Sequence, residues 1–232
     1  INNYNKIIFK GKELRGKVKE LQSVIQNLIA LEIMEQTTDT IVAKVFLDME
    51  TVSVNELVRK MDIVTRTMLK EACEIFKDDN YESLNERDKD VNRLYFLHSR
   101  AVLFYLDNPM KAVKSHKLNP SALLRAHKIA FYVEAVADEA RRIARYAREE
   151  ISAAKKKKIE DFLLEILNYY TTTIKAAHTS DENLALEQAD CKEIFYKKLK
   201  DWEEDSKKTP DVYKLMNRMQ RIVSLIHNLG RV

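Results

Sequence analysis

The pattern of apolar and polar positions predicts a small β-α-β-β unit at the start of the chain. A strand is predicted at residues 4–10, and the apolar spacing of residues 14–28 is that of a helix. Residues 31–37 and 40–47 are predicted to form two further strands with a short turn between them. These elements define a strand-containing segment over residues 1–50.

Apolar residues at helical spacing predict six long helices after this segment. Ser53 and Glu56 have the spacing of a capping box at the start of helix one. Pro120 and Pro210 each follow a capping residue and are expected in the first turns of helices three and six. With boundaries accurate to about two residues, the predicted helices cover residues 53–77, 81–106, 120–150, 152–177, 181–205 and 210–229.

The predicted fold is therefore mainly α, with two antiparallel three-helix bundles preceded by the β-α-β-β segment. The expected domains are residues 1–50, residues 51–150 with the first bundle, and residues 151–232 with a second, divergent bundle. Open bundles with amphipathic helices leave apolar edges exposed, and strands at a sheet edge leave backbone hydrogen-bonding groups unpaired. We therefore expect a homodimer. Strands 4–10 and 40–47 are the segments expected to help pair two chains.

The composition of the chain excludes several classes of protein. Its 232 residues include only three glycines and three prolines, as expected for a compact helical chain. Forty basic residues against 36 acidic ones give a net charge of +4, which is too small to require nucleic acid. No apolar run approaches the roughly 18 residues needed to cross a bilayer. We therefore expect no membrane insertion and a cytoplasmic location.

The sequence also lacks a recognisable catalytic constellation. It has no G-x-S-x-G motif, no glycine-rich phosphate loop and no dinucleotide-binding motif, so we expect that it is not an enzyme. Cys73 and Cys191 lie in separate predicted helices without metal-ligand spacing and are expected to be reduced thiols. The five histidines show no zinc spacing. His98 is expected to be a hydrogen-bonded core residue.

Two groups of acidic residues are the first candidates for chemistry. Glu134 and Asp138 are one helical turn apart, beside a seam of small residues that recur at steps of four and three. This seam consists of Ala126, Ala130, Val133, Ala137, Ala140, Ala144 and Ala147. Asp88 falls inside the apolar stripe of helix two, between Leu84 and Val91. Because an unpaired buried carboxylate costs several kcal/mol, Asp88 must meet a cation, a metal, a helix terminus or water.

The segment around Glu134 and Asp138 resembles the second signature of the PhoU family of phosphate-signalling regulators. The frame is V-E-x-V-A-D-E-A-x-x-I-A, with E-x-x-x-D inside it. Upstream, L-E-I-M-E-Q-T at residues 31–37, F-L-D at 46–48 and E-R-D-K-D-V-N-R-L-Y-F-L at 86–97 look like the archaeal branch. The resemblance covers residues 30–150 well and the remainder through helix count and order. It implies helical proteins built from a repeated three-helix bundle.

The resemblance also implies a metal site in the first bundle, for iron or another divalent cation. The residues at the matching positions are Asp88, Asn92, Glu134 and Asp138, with Glu86 and Asp90 close by. Carboxylates on facing helices suit such cations. The chain departs from the family pattern, because Asn92 replaces an aspartate, Glu139 a histidine and Arg142 an asparagine. The alternative is ion pairing, of Asp138 with Arg142 and of Glu134 with Arg141 or a neighbouring helix. The second bundle is expected to be metal-free.

Basic residues gather where helix three meets helix four, and they are candidates for contact with an anionic partner. They are Arg141, Arg142, Arg145, Arg148, Lys155, Lys156, Lys157 and Lys158. They could bind an acidic protein surface, phosphate or nucleic acid. Acidic residues interspersed among them leave an ordinary solvated helix surface as the alternative.

The resemblance implies a regulator of phosphate uptake that acts through protein contacts with the phosphate-transporter ATPase, a sensor kinase, or both. A second interpretation is a transcriptional regulator. In that case DNA would be bound through an N-terminal domain that precedes Ile1, because the chain does not begin with methionine. A third interpretation is a metal-binding or metal-storage helical bundle.

Overall fold

The computed structural model describes residues 4–26, 28–148, 151–206 and 210–232. Its N-terminal segment contains strands β1 (Lys6–Lys10), β2 (Leu31–Gln36) and β3 (Thr40–Val45), with helix α1 (Val18–Gln26) between β1 and β2. The strands form one antiparallel sheet in the order β1-β3-β2. The predicted β-α-β-β segment is therefore confirmed.

Strand β3 is the central strand of this sheet. It pairs with β1 and with β2, and Ile41, Val42 and Ala43 are all buried. Both edges of β3 are thus hydrogen bonded within the sheet, so β3 has no free edge for a second chain, and the expectation that residues 4–10 and 40–47 help to pair two chains stays a prediction. The outer edges of β1 and β2 are the ones not paired within this sheet.

The remaining described residues are predominantly helical, as predicted. The helices are α2 (Val54–Glu74), α3 (Tyr81–Asp107), α4 (Pro109–His116), α5 (Pro120–Ala147), α6 (Ala153–Thr179), α7 (Glu182–Glu187), α8 (Cys191–Ser206) and α9 (Pro210–Gly230). The capping predictions hold in part, since Glu56 N donates to Ser53 Oγ at 3.3 Å. Pro120 and Pro210 are the first residues of their helices.

Two details of the predicted helix pattern are wrong. Predicted helix five is two helices, α7 and α8, because the chain turns at residues 188–190 before it re-enters a helix at Cys191. Helix α4 was not predicted. It begins at Pro109 after Asn108 and ends where Lys117 takes a left-handed conformation with φ of 54°.

The chain divides into two compact units. The first combines Ile1–Leu57 with Arg93–His127. Its core contains Tyr105, whose hydroxyl lies 3.0 Å from the carbonyl oxygen of Met49 and 2.5 Å from Nε2 of His116. The expected division of the chain at residues 50 and 150 stays a prediction.

His98 belongs to this first unit and is fully buried. Its ring stacks on His127 with centroids 5.9 Å apart, and neither ring nitrogen of His98 has a hydrogen-bond partner among the described residues. The prediction of a hydrogen-bonded His98 is therefore wrong. Burial lowers the pKa of His98 to about 3, so the ring is neutral.

The second unit combines Val58–Asn92 with Lys128–Val232. Every member of the small-residue seam of α5 within this unit is buried. Helices α6, α8 and α9 pack together, with α9 in contact with both others. None of the helices in the described ranges is long and apolar enough to span a membrane.

Candidate functional site

The second unit brings together the acids that the sequence singled out on α3 and α5. Asp88 is buried, and Glu134 and Asp138 are half-buried. Burial raises the pKa of Glu134, and the nearby carboxylates of Asp138 and Asp88 raise it further. Burial also raises the pKa of Asp88, although Arg141 opposes this change. The predicted proximity of these acids on facing helices therefore holds.

Arg141 links the acidic residues of the two helices. Its Nη2 donates to Asp138 Oδ1 at 2.7 Å, and its Nε lies 3.1 Å from Asp88 Oδ2 without hydrogen-bond geometry. Arg142 Nη2 lies 2.7 Å from the other oxygen of Asp138. Both oxygens of Asp138 are thus in contact with guanidinium groups. The expected pairing of Asp138 with Arg142 is present, whereas Arg141 pairs with Asp88 and Asp138.

Glu139 extends this arrangement to α9. Its side chain is only 1% exposed, and its Oε1 lies 3.3 Å from Arg142 Nη1, 3.0 Å from Arg221 Nε and 3.5 Å from Arg218 Nη1. Its Oε2 has no hydrogen-bond partner among the described residues. Burial raises the pKa of Glu139, while the three arginines lower it and so favour the ionised form.

We call these eight residues the acid–arginine cluster. Four acids are matched in number by four arginines, so the cluster carries no formal net charge when all are ionised. Its members are Asp88, Glu134, Asp138, Glu139, Arg141, Arg142, Arg218 and Arg221.

Three further residues of the predicted metal site take other positions. Glu86 and Asp90 are exposed, two residues to either side of the buried Asp88, and Glu86 pairs with Lys89 at 2.6 Å. An offset of two residues turns a side chain by about 200° around a helix. Asn92 is half-buried and its Nδ2 donates to Asp88 Oδ2 at 3.2 Å. Asn92 therefore supports Asp88 as a hydrogen-bond donor.

The arrangement of these side chains does not fit a metal centre. No group of three or more His, Cys, Asp or Glu side chains within residues 4–26, 28–148, 151–206 and 210–232 is placed to hold a metal ion. The guanidinium groups of Arg141 and Arg142 contact the oxygens of Asp138 that a cation would need. Metal binding by these residues stays a prediction.

The predicted basic patch consists largely of side chains that already have partners in the second unit. Arg148 lies 2.9 Å from Asp79, and Lys157 lies 2.9 Å from Asp161. Lys156 and Lys158 lie over the rings of Phe76 and Trp202, and Lys155 has an interaction of its own. Arg145 is exposed on α5. Binding of an anionic partner by this patch stays a prediction.

A third buried acid, Asp62 on α2, was not predicted from the sequence. It is 1% exposed, and its carboxylate contacts Arg66 Nη2 at 2.5 Å and the Tyr170 hydroxyl at 3.2 Å, with His178 Nε2 at 3.5 Å. Burial and the neighbouring Asp62 raise the pKa of Tyr170 well above its ordinary value. The signal that singled out Asp88 could have found Asp62, because Asp62 also lies within an apolar stripe, next to Met61.

The cysteines show no arrangement for disulfide or metal chemistry. Cys73 and Cys191 are both free. Burial raises the pKa of Cys73 to about 11, so its thiol stays protonated and unreactive at neutral pH.

Comparisons with known proteins support the resemblance noted from the sequence. The family model described as PhoU domain matches residues 58–147. The crystal structure of PhoU from Pseudomonas aeruginosa matches with a TM-score of 0.51 and 13% identity, over 77% of this chain and 92% of that one. Curated protein sequences give no match. Residues 58–147 therefore match the PhoU domain, and the chain has a PhoU-like fold.

Proposed function

We propose that this protein is a regulator of phosphate uptake that acts through contacts with other proteins. The match of residues 58–147 to the PhoU domain carries this proposal, because that segment contains all six residues of the predicted metal site together with Glu139, Arg141 and Arg142. The partners that the resemblance implies are the ATPase of the phosphate transporter and a sensor kinase. A cytoplasmic, homodimeric protein of the archaeal branch is the corresponding setting.

The charge arrangement supports protein contact over catalysis. The buried and half-buried acids of the acid–arginine cluster face arginines of the same chain, so they are engaged in holding helices. A general acid or base must reach a bound substrate. Glu139, at 1% exposure, has no such access.

A binding measurement tests the proposed partner. The full-length protein would be titrated against the purified ATPase subunit of the phosphate transporter of the same organism, by biolayer interferometry. We expect saturable binding that weakens when Arg145→Glu reverses an exposed charge of the predicted basic patch. Lys19→Glu, a charge reversal at another exposed residue, on α1, is the matched control and should bind like the wild type.

The same protein would be titrated in parallel against a sensor kinase and against its own promoter DNA. Binding to neither protein, together with nanomolar and sequence-selective binding of DNA, would contradict the proposal in favour of a transcriptional regulator. Sedimentation of the protein at high micromolar concentration tests the homodimer, and a monomer would contradict that part.

A further inference from the structure

We propose that Arg141 and Arg142 take the place of a metal in this PhoU domain, by acting as built-in cations between the acids of α3 and α5. This inference concerns how the acids are neutralised and does not depend on phosphate signalling. It is a departure from the iron or other divalent metal that the resemblance implies for the same positions.

The first step is the geometry around Arg141. Its side chain is 19% exposed and lies between Asp88 Oδ2, at 3.1 Å, and Asp138 Oδ1, at 2.7 Å. A planar guanidinium can contact two carboxylates at once, whereas a lysine ammonium is a single point charge. Arg141 therefore joins α3 to α5, which is the link that a metal bound by both helices would provide.

The second step is the state of the carboxylates themselves. Arg142 contacts the remaining oxygen of Asp138 at 2.7 Å, and Asn92 donates to the same oxygen of Asp88 that Arg141 approaches. A divalent cation needs deprotonated carboxylates with oxygens turned toward it. At Asp138 a metal would have to displace two arginines, each of which contacts one of its oxygens at 2.7 Å.

The third step is the sequence departures that accompany this arrangement. Arg142 stands where the family pattern has an asparagine and Glu139 where it has a histidine. The two substitutions match each other, because Arg142 Nη1 lies 3.3 Å from Glu139 Oε1. Glu139 is in turn contacted by Arg218 and Arg221 of α9. The change from metal ligands to ion pairs thus involves residues that contact one another.

Metal content and thermal stability test the inference directly. The full protein would be purified without chelator, incubated with Fe²⁺ or Mn²⁺ under anaerobic conditions, desalted and analysed for metal. We expect well under one metal ion per chain and a melting temperature that neither EDTA nor Mn²⁺ changes. Retention of about one metal ion per chain, or a lower melting temperature in EDTA, would overturn the inference.

Variants of Arg141 test its role as the bridging cation. Arg141→Ala leaves two carboxylates without their shared cation and should lower the melting temperature by about 5–10 °C. Arg145→Ala, an exposed arginine one turn later on α5, is the control and should shift it by no more than about 2 °C. Equal losses in the two variants would contradict the bridge.

Two more variants keep the test valid if Arg141→Ala folds poorly. Arg141→Lys retains the positive charge but not the planar guanidinium that contacts two carboxylates. We therefore expect a melting temperature between those of Arg141→Ala and the wild type. A lysine variant as stable as the wild type would contradict bridging. In the Asp88→Asn background Arg141→Ala should cost less than in the wild type, because one of the two pairs is already absent. An equal drop in melting temperature in both backgrounds would also contradict the bridging role of Arg141.

Discussion

Glu139 allows a test of which change lowers the stability of the protein more. The buried acid can be neutralised, or the arginines of α9 that contact it can be removed. The first perturbation is Glu139→Gln, which removes the buried charge and keeps the size of the side chain. The second is the double variant Arg218→Met and Arg221→Met, which removes the positive charges of α9 and keeps most of the aliphatic length. These two perturbations break the same ion pairs from opposite sides.

The magnitudes follow from the exposure of each partner. Glu139 is 1% exposed, whereas the side chains of Arg142, Arg218 and Arg221 are 36%, 28% and 60% exposed. When Glu139 becomes neutral, these arginines regain water and the desolvation cost of the carboxylate disappears. The loss should be about 1 kcal/mol or less. When the α9 arginines are removed, a buried carboxylate keeps only Arg142, and the loss should be about 3 kcal/mol.

Urea denaturation followed by circular dichroism measures both losses, and the triple variant closes a thermodynamic cycle. Combining Glu139→Gln with the two methionine substitutions should recover about 2 kcal/mol relative to the double variant, because no unpaired buried charge remains. Arg145→Met is the control for loss of an arginine. A Glu139→Gln variant that loses more than the double variant would refute the reasoning, as would a triple variant with additive losses.

Three further predictions concern the other acids and the charge of the chain. Burial raises the pKa of Glu134 and the nearby Asp138 raises it further, so the ionised carboxylate lowers the stability of the folded protein at pH values above this raised pKa. This cost fades as the pH falls toward the unfolded pKa of about 4.3. Glu134→Gln should therefore raise the melting temperature at pH 7, through loss of at least about 0.2–0.5 kcal/mol of repulsion, but not near pH 4, and an unchanged melting temperature at pH 7 would contradict this. Asp62→Ala removes a buried acceptor of the Tyr170 hydroxyl and should lower the free energy of unfolding, measured by urea denaturation, by about 3 kcal/mol. The exposed Asp161→Ala is the control and should lower it by about 0.5 kcal/mol. Equal losses would contradict a structural role for Asp62. Because 40 basic residues nearly balance 36 acidic ones, fluorescence anisotropy should show binding of duplex DNA no tighter than about micromolar at physiological salt, and nanomolar affinity would contradict it.

The fold was largely predictable because its signals are local. Proline and a preceding capping residue marked the starts of α5 and α9, and the small-residue seam of α5 is buried as expected. Helix α4 has the same kind of start, at Asn108 and Pro109, but its eight residues are too few for a clear apolar period. The break between α7 and α8 has neither glycine nor proline to mark it. The central position of β3 depends on pairing between distant segments, which spacing along the chain does not report.

The candidate site was predictable only as far as single helices determine it. The burial of Asp88 and the shared face of Glu134 and Asp138 follow from helical spacing on α3 and α5. The exposure of Glu86 and Asp90 follows from the same spacing, although proximity in sequence suggested that they would help. The partners of Glu139 could not be predicted, because Arg218 and Arg221 are about 80 residues away along the chain and nothing in α5 specifies them.

The arginines of α9 give a physical reason for the difference between the two halves of the sequence. The sequence around Arg218 and Arg221 contains no acids, which is why the second bundle was expected to be metal-free. In the structure these arginines face Glu139, so the acids of α5 and the acid-free surface of α9 are complementary. Acids at both places would repel across this contact, and a neutral α9 would leave Glu139 with Arg142 alone. The positive charge of Arg218 and Arg221 on α9 is therefore matched by the negative charge of Glu139 on α5.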